Sequence, residues 1–553
     1  MSNIDFIVFS SILITIAVYG AIKNRQNKNL KSYILGDKSV KWSTIGLSVM
    51  ATQASAITFL STPGQGYKEG MSFIQIYLGL PLALIVVSAV FVPIYYKSKV
   101  FTAYQYLEER FDVKVRALTS FFFLLQRGLQ CGITIYAPSI ILTTILGWDM
   151  TPTVIFVGLL VIFYTVIGGS KAVSYTHKYQ MILILSGLVI VFFYLLSYIN
   201  EYISINESFN LIKVFDKNNA ISFSTDIEEK YTLWSGLLGG FFLSLSYFGT
   251  DQSQVSRYIN AKNIEESRIG LIFNAILKIP LQFFILLIGT LLFVFYSLYQ
   301  PPINFNDNLV SYQKENNFEL YDNTKKEANN LFEEKKNLIV NSLNNNKSDI
   351  IAKNKQIEQL RKELENDAIQ NGFDYEKAES DFIFLHFILN YLPVGLIGLI
   401  IALILSAAMS STSAEISALS AISTIDIYKR FISKDDNPKK DVLISKFFNL
   451  GWGIIAILFS LFFAQEENLI ESINIIASLL YGNVLGIFLV AFFIKNVRSN
   501  NIFYAAIISQ FLVFVLFNFY EDNISYLWFN FIGTFLTSSI SVILSFINKR
   551  QWI

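Results

Sequence analysis

The sequence predicts an all-α polytopic membrane protein, and three observations carry that expectation. Of 553 residues, 53% are apolar and 15% charged, with 50 Phe, far from the balance of a water-soluble globule. Stretches of about 20 residues nearly free of charge recur along the chain, each long enough to cross about 30 Å of hydrocarbon as a helix, whereas barrel strands would be half that length and alternating. Basic residues concentrate in alternate connections, as an inside-positive topology requires.

About 13 transmembrane helices are expected, at 3–22, 43–61, 74–96, 117–145, 151–167, 180–199, 233–250, 268–298, 383–411, 442–463, 468–494, 501–519 and 525–547. The first run lacks a preceding basic stretch and a small-residue cleavage site, so it reads as a helix rather than a leader. Lys23, Arg25, Lys28, Lys31, Lys38 and Lys41 follow it. That order places the N-terminus outside and the C-terminus, with Lys549 and Arg550, in the cytoplasm. The remaining basic connections, Lys97 to Lys114, Lys171/Lys178, Arg257/Lys262, Lys429 to Lys440 and Lys495/Arg498, then fall on the cytoplasmic side. The expected setting is a multi-pass protein of a plasma membrane, that of a bacterial cell.

The chain divides accordingly into an extra helix and cytoplasmic loop (1–42), a first half (43–200), an outer loop (201–232), a second half in two pieces (233–298 and 383–495) and two C-terminal helices with a short tail (496–553). Between those two pieces, 299–382 is polar and rich in Lys, Glu and Asn, an insert on the outer side. Leu331, Ile339 and Leu343, then Ile350, Ile357 and Leu364, recur at near-heptad spacing around Asn344-Asn345-Asn346. This predicts an antiparallel helical hairpin, with a disordered polar loop as the alternative. Residues 306–380 are also a candidate surface for an extracellular protein partner.

A net charge of +1 gives no case for nucleic acid, and two His with the lone Cys131 leave no scope for a disulfide or a His/Cys metal cluster. No nucleophile–base pair stands out, so an enzyme is not expected.

The second span concentrates small and hydroxylated residues at mid-membrane, Met50-Ala-Thr-Gln-Ala-Ser-Ala-Ile-Thr-Phe-Leu60 followed by Ser61-Thr-Pro-Gly64. Close helix packing would explain small residues. Local unwinding that frees carbonyls for a dehydrated cation would explain them too, since irregular backbone at that depth is tolerated only around a cavity. The ninth span carries Ser406-Ala-Ala-Met-Ser-Ser-Thr-Ser-Ala-Glu415, with four hydroxyls in seven consecutive positions. Neutral oxygen ligands suit sodium, whereas calcium and magnesium sites bring in carboxylates.

These two segments resemble the sodium:solute symporter family, which includes sugar, sialate, proline, monocarboxylate and iodide carriers. Further matching motifs are Gly168-Gly-Ser-Lys-Ala-Val-Ser-Tyr-Thr-His-Lys-Tyr-Gln180, Tyr247-Phe-Gly-Thr-Asp-Gln-Ser-Gln-Val-Ser-Arg257, Ser423-Thr-Ile-Asp-Ile-Tyr-Lys429 and Tyr481-Gly-Asn-Val-Leu-Gly486, in family order over about 35–495 apart from the insert. The resemblance implies two inverted five-helix repeats with discontinuous helices, spans two to six and seven to eleven, and sites near the midplane. It implies sodium-coupled symport of a small polar solute, anionic or hydroxyl-rich. The implied sodium ligands are the Ala51, Ala54 and Ala407 carbonyls with the Ser410 and Ser411 hydroxyls. Some members hold a further sodium, but here His177 stands in place of an aspartate and Ala414 in place of a hydroxyl. One sodium per solute is therefore expected.

Charges inside spans are costly and become candidates by default. Arg127 and Lys278 are the two that stand out, each with a structural alternative: an internal salt bridge for Arg127, snorkelling or pairing with Asp251 for Lys278. By resemblance, Gln53, Ser55, Thr58, Phe73, Gln75, Tyr77 and Gln130 join them as candidate solute-binding residues, and Tyr247 as an aromatic gate. Two other functions remain open: a membrane sensor with a transporter-like fold, and a proton-coupled carrier using His177.

Overall fold

The computed structural model describes residues 2–23, 40–53, 55–343, 345–373, 379–433, 437–463 and 468–550. No strand occurs among them, only an isolated bridge between Val40 and Ala261. The helices used below are α1 (Asn3–Lys23), α2 (Trp42–Gln53), α3 (Ala56–Glu69), α4 (Ser72–Ser98), α5 (Val113–Leu146), α6 (Met150–Ile199), α7 (Gly240–Thr250), α8 (Gln252–Ile259) and α9 (Ile264–Leu298). They continue with α10 (Phe318–Ser342), α11 (Lys347–Gln370), α12 (Ser380–Tyr391), α13 (Leu396–Ile422), α14 (Pro438–Phe462), α15 (Leu469–Phe493), α16 (Ser499–Tyr520) and α17 (Trp528–Arg550).

Among the described residues nine helices are long and apolar enough to cross a membrane, ten if the bent pair α2 and α3 counts as one span. The count expected from sequence, about 13, is corrected at 233–250; at the other two places where it differs, side chains at 16–23 and 167–179 lie outside the described residues. In α1 the apolar helix with described side chains is Asn3–Thr15. The expected spans 151–167 and 180–199 lie in one continuous helix, α6, of which Met150–Val166 is short by that measure. The apolar run 233–250 yields the 11-residue α7, preceded by a wide π turn at Ser235–Gly239, because the helix stops at Asp251. A further correction concerns 383–411, which is two helices, α12 and α13, separated at Leu392 to Gly395. Gly395 there takes φ +90°, a conformation that suits glycine.

Local signals explain where the long helices start and stop. Asp112 caps α5 by accepting from the Lys114 and Val115 amides, and Gly147, at φ +65°, ends it. Asn263 and Asn468 cap α9 and α15 in the same manner.

Helices α5, α9, α13 and α15 are largely buried, whereas α14, α16 and α17 are only about a third buried or less. Large apolar side chains such as Phe121, Phe163, Phe193, Phe447, Phe511 and Phe535 point outward from the bundle. On a soluble protein such a surface would be a liability, while against acyl chains it carries no cost.

Helix α3 packs tightly on two neighbours, and glycine permits both contacts. A Cβ on Gly64 would lie 2.0 Å from the Ser380 carbonyl oxygen of α12, and one on Gly289 of α9 would lie 2.2 Å from the Pro63 carbonyl oxygen. Gly64→Ala is expected to separate α3 from α12 and destabilise by about 1–3 kcal/mol, the usual effect of overpacking. Thermal denaturation in detergent checks this, and an unchanged melting temperature would show that α12 is free to shift.

In the insert, α10 and α11 pack against one another, with Ile339, Leu343, Ile350, Ile357 and Leu364 buried. Helix α10 also contacts α9, which docks the hairpin on the bundle.

Candidate functional site

Two helix breaks frame the site. Between α2 and α3 the axis bends by 62°, and Ser55 is extended (φ −77°, ψ 177°) with no side-chain cap. Across the break the Thr58 hydroxyl donates to the Gln53 carbonyl at 3.0 Å and the Thr58 amide to the Ser55 carbonyl at 3.0 Å. The second break is the single extended residue Asp251 between α7 and α8. Its carboxylate caps α8, accepting from the Ser253 amide at 2.8 Å.

A cavity of about 140 Å³ lies between the breaks. Gln53, Ser55 and Thr58 line it from the first break, Tyr77 from α4, Arg127 and Gln130 from α5, Tyr247 from α7 and Lys278 from α9. Phe73 and Gln75 do not line it. Phe73 is fully buried, edge-on to Tyr77 and Tyr231. Gln75 donates to the Tyr231 carbonyl at 2.8 Å and accepts from the Ser222 amide at 2.9 Å, so it fastens the 201–232 loop rather than facing the cavity. That placement corrects the expectation for both.

The two intramembrane cations differ in their surroundings. Arg127, 3% exposed, forms ion pairs with Asp251 and with Glu415, the latter at 3.0 Å. It also donates to the Tyr481 hydroxyl at 2.7 Å, and that hydroxyl donates to Asp251 at 2.7 Å. Glu415 accepts from Thr134 at 3.0 Å, and the Tyr247 ring stands 5.6 Å from the Arg127 guanidinium carbon. Arg127 is thus the hub of a buried network that pairs its two terminal nitrogens and leaves its Nε without a partner, the structural alternative raised for it above. Lys278 is 2% exposed and makes no ion pair with a described carboxylate. Its ammonium lies 5.4 Å from the centre of the Tyr77 ring, whose hydroxyl accepts from Gln282 at 2.6 Å. Asp251, the partner considered for Lys278, belongs to Arg127.

Glu415, Tyr481, Thr134 and Asn474 were not singled out from the sequence, and Asp251 only as a partner for Lys278, although Glu415 carried a signal: a carboxylate deep in an apolar run, next to the hydroxyl cluster. Asp251 carried a weaker one, at the end of an apolar run where a terminal aspartate is ordinary.

The candidate sodium ligands lie where α13 crosses α2 and α3. Ala51, Ala407, Ser410 and Ser411 are all buried. The Ser411 hydroxyl donates to its own helix, to the Ala407 and Ala408 carbonyls at 3.0 and 3.1 Å. The Ser406, Ser410 and Ser413 hydroxyls and Gln53 Oε1 are enclosed without a hydrogen-bond partner. Such orphans each cost about 1–3 kcal/mol. Their chemistry, neutral oxygen on small side chains, fits a monovalent hard cation as cargo. Ala54 and the side chain of His177 lie outside the described residues. No cluster of three or more His, Cys, Asp or Glu suited to a metal occurs among the described residues.

An all-helical membrane protein enclosing a polar cavity between two broken helices has the architecture of a solute transporter. The profile of the Sodium:solute symporter family matches residues 33–315 and 373–509, and the chain belongs to that family, one of transporters rather than enzymes. The unmatched middle segment covers most of the hairpin. Sodium-coupled monocarboxylate transporter 2 of Bos taurus is 30% identical over 276 residues, a match spanning 49% of this chain and only 44% of that protein. The Sodium/sialic acid symporter SiaT of Proteus mirabilis (strain HI4320) is 25% identical over 542 residues, 96% of this chain and 92% of that one. A solved structure of a Na+-coupled sialic acid symporter in a substrate-bound outward-open state superposes with a TM-score of 0.76 at 24% identity, covering 99% of this chain and 98% of that one, a likeness of fold.

Proposed function

We propose that this protein is a secondary transporter that uses a sodium gradient to move a small polar organic solute, anionic or hydroxyl-rich, into the cell by alternating access, with one sodium per solute. The observation that carries the reading is Lys278, a buried cation without a described carboxylate partner, lining a cavity together with Gln53, whose Oε1 is also unpartnered. Arg127 is occupied by two carboxylates, so the solute's anionic or hydroxyl group falls to Lys278. Gln53, Ser55, Thr58, Tyr77, Gln130 and Asn474 supply the remaining polar contacts, and Tyr247 covers the cavity from α7.

Sodium is assigned to the Ala51, Ala54 and Ala407 carbonyls and the Ser410 and Ser411 hydroxyls. The stoichiometry rests on Ala414, a buried methyl where a further site would need a hydroxyl, and on His177. The inverted-repeat reading is supported by the position of the breaks, α2/α3 and α7/α8, each in the first span of its half. The charge pattern of the loops supports an N-terminus outside, a cytoplasmic C-terminus and a bacterial plasma membrane. Inward movement of one charge through 100 mV supplies about 2.3 kcal/mol, before any concentration term.

Uptake into proteoliposomes from a panel of sialate, hexoses, inositol, monocarboxylates and amino acids tests the reading. Uptake of one class with sodium, and none when choline replaces it, is expected, and equal uptake in choline would remove the coupling. Ser410→Ala is expected to raise the sodium concentration for half-maximal uptake about tenfold, the equivalent of 1.4 kcal/mol. Without sodium it should leave the melting temperature level or raise it, because the hydroxyl it removes is buried with no protein partner. An unaltered sodium response would take Ser410 out of the site.

A further inference from the structure

The hairpin insert encloses a second chamber, separate from the transport cavity and larger, about 460 Å³. Its floor is the end of α3 and of α9, with the Tyr67, Phe293 and Tyr296 rings, and its roof is α10 and α11. Tyr67 meets Phe293 and Tyr296 edge-on at 5.7 and 6.3 Å, so the floor is an apolar, aromatic surface.

Cations enter this chamber from both sides. From the roof comes Lys335, 5% exposed, whose ammonium donates to the neutral Asn354 amide oxygen at 3.0 Å. From the body comes Lys217, which donates to the Lys68 carbonyl at 2.5 Å and stands 4.6 Å from the centre of the Phe293 ring. Neither forms an ion pair with a described carboxylate. Arg361 is held by the Pro302 carbonyl at 2.7 Å and by Glu379 at 3.8 Å, leaving its Nε buried without a partner. Several carboxylates in the lining have donors of their own: Glu358 accepts from Asn354 at 2.8 Å, Glu365 from Asn304 at 3.0 Å and Glu379 from the Phe305 amide at 3.0 Å. Burial pushes the Lys335 ammonium down to about 7 and the Lys217 ammonium to about 8, against the opposing pull of Glu358 on both and of Glu69 on Lys217, so a net cost remains that a bound anion would offset.

We propose that this chamber is a second binding site, built by the insert, for a small organic carboxylate whose charge is met by Lys335 and Lys217 and whose body rests on the Tyr67, Phe293 and Tyr296 rings. The placement of the chamber on the outer face rests on the orientation proposed above; the chamber itself does not. Two sources supply this chemistry, the transported solute waiting outside and a separate anion that is not carried.

The test is titration calorimetry of choline benzoate, a minimal aromatic carboxylate, into the purified full-length protein in detergent without sodium. Benzoate is expected to bind the wild type, to bind Lys335→Met at least tenfold more weakly, and to bind Lys278→Met unchanged. Lys335→Met exchanges a buried unpaired cation for an apolar chain of similar length, so its melting temperature should hold. Lys217→Met reads the opposite wall and decides the matter if Lys335→Met does not fold. No binding by the wild type, or binding that is lost with Lys278→Met and indifferent to Lys335→Met and Lys217→Met, overturns the site. Displacement of benzoate by the solute found in uptake assays identifies the solute as the occupant, and persistence of benzoate identifies a separate anion. Because the titration needs neither sodium nor transport, its failure is distinguishable from failure of the transport reading.

Discussion

Arg127→Met is expected to strip the folded protein of about 3–5 kcal/mol, a loss read as low yield and a large fall in melting temperature in detergent. The guanidinium is 3% exposed, and it is the cation that pairs with both Asp251 and Glu415. Removing it leaves two carboxylates, 1% and 4% exposed, facing each other's field in a region poor in water. Asp251 also holds the start of α8, so the damage would reach the second helix break. Adding Glu415→Gln to Arg127→Met should restore part of the stability, since it removes one uncompensated charge while keeping an acceptor for Thr134. An unchanged melting temperature in the single variant would show that the carboxylates are accommodated without the guanidinium, and Arg127 would return to the list of solute ligands.

The same network shows what could and could not be read from the chain. Helical spans were legible because burial in lipid acts locally: each needs its own run of apolar residues, whatever its neighbours do. The break between α2 and α3 was legible for a related reason, in that Ala, Ser, Thr and Gly in mid-membrane are poor lipid-facing residues and good backbone-exposing ones. The break at Asp251 was not, because a polar residue after an apolar run reads as a span's end. What makes it an interior break is a partner 124 positions away, and Arg127 meets Glu415 across 288 positions. No periodicity reports such pairings. The cluster joining Arg116 to Glu108 at 2.7 Å and to Asp426 was missed for the same reason. The division of 383–411 into α12 and α13 was different: Pro393 and Gly395 were visible turn residues, and the apolar run was allowed to outweigh them. Phe73 and Gln75 show the limit of carrying positions over from relatives, since their immediate neighbour in the fold, the 201–232 loop, claims both side chains.

Lys278→Met should behave in the opposite way to Arg127→Met, and the contrast separates a cation that holds the fold from one that faces cargo. Lys278 is 2% exposed in α9, and among the described residues the Tyr77 ring at 5.4 Å is the contact that stabilises its charge. A ring face stabilises a desolvated cation by about 2 kcal/mol, less than the several kcal/mol that burial of an ion costs. Methionine, unbranched and close in length, removes that deficit, so the melting temperature is expected to stay level or rise. Solute binding is expected to weaken by about 2–5 kcal/mol, the cost of removing one partner of a buried hydrogen-bonded charge pair, which is roughly 30-fold at the lower limit. The half-maximal sodium concentration measured at saturating solute should change far less, because the hydroxyls assigned to sodium sit on α13 rather than α9. Radiolabelled uptake with the solute identified from the panel, run beside thermal denaturation, reads both quantities. A variant that transports normally would show that the solute's charge is met elsewhere in the cavity. One that unfolds would show that the ammonium has a partner in the resting protein, and the argument from an unpaired buried cation would fall.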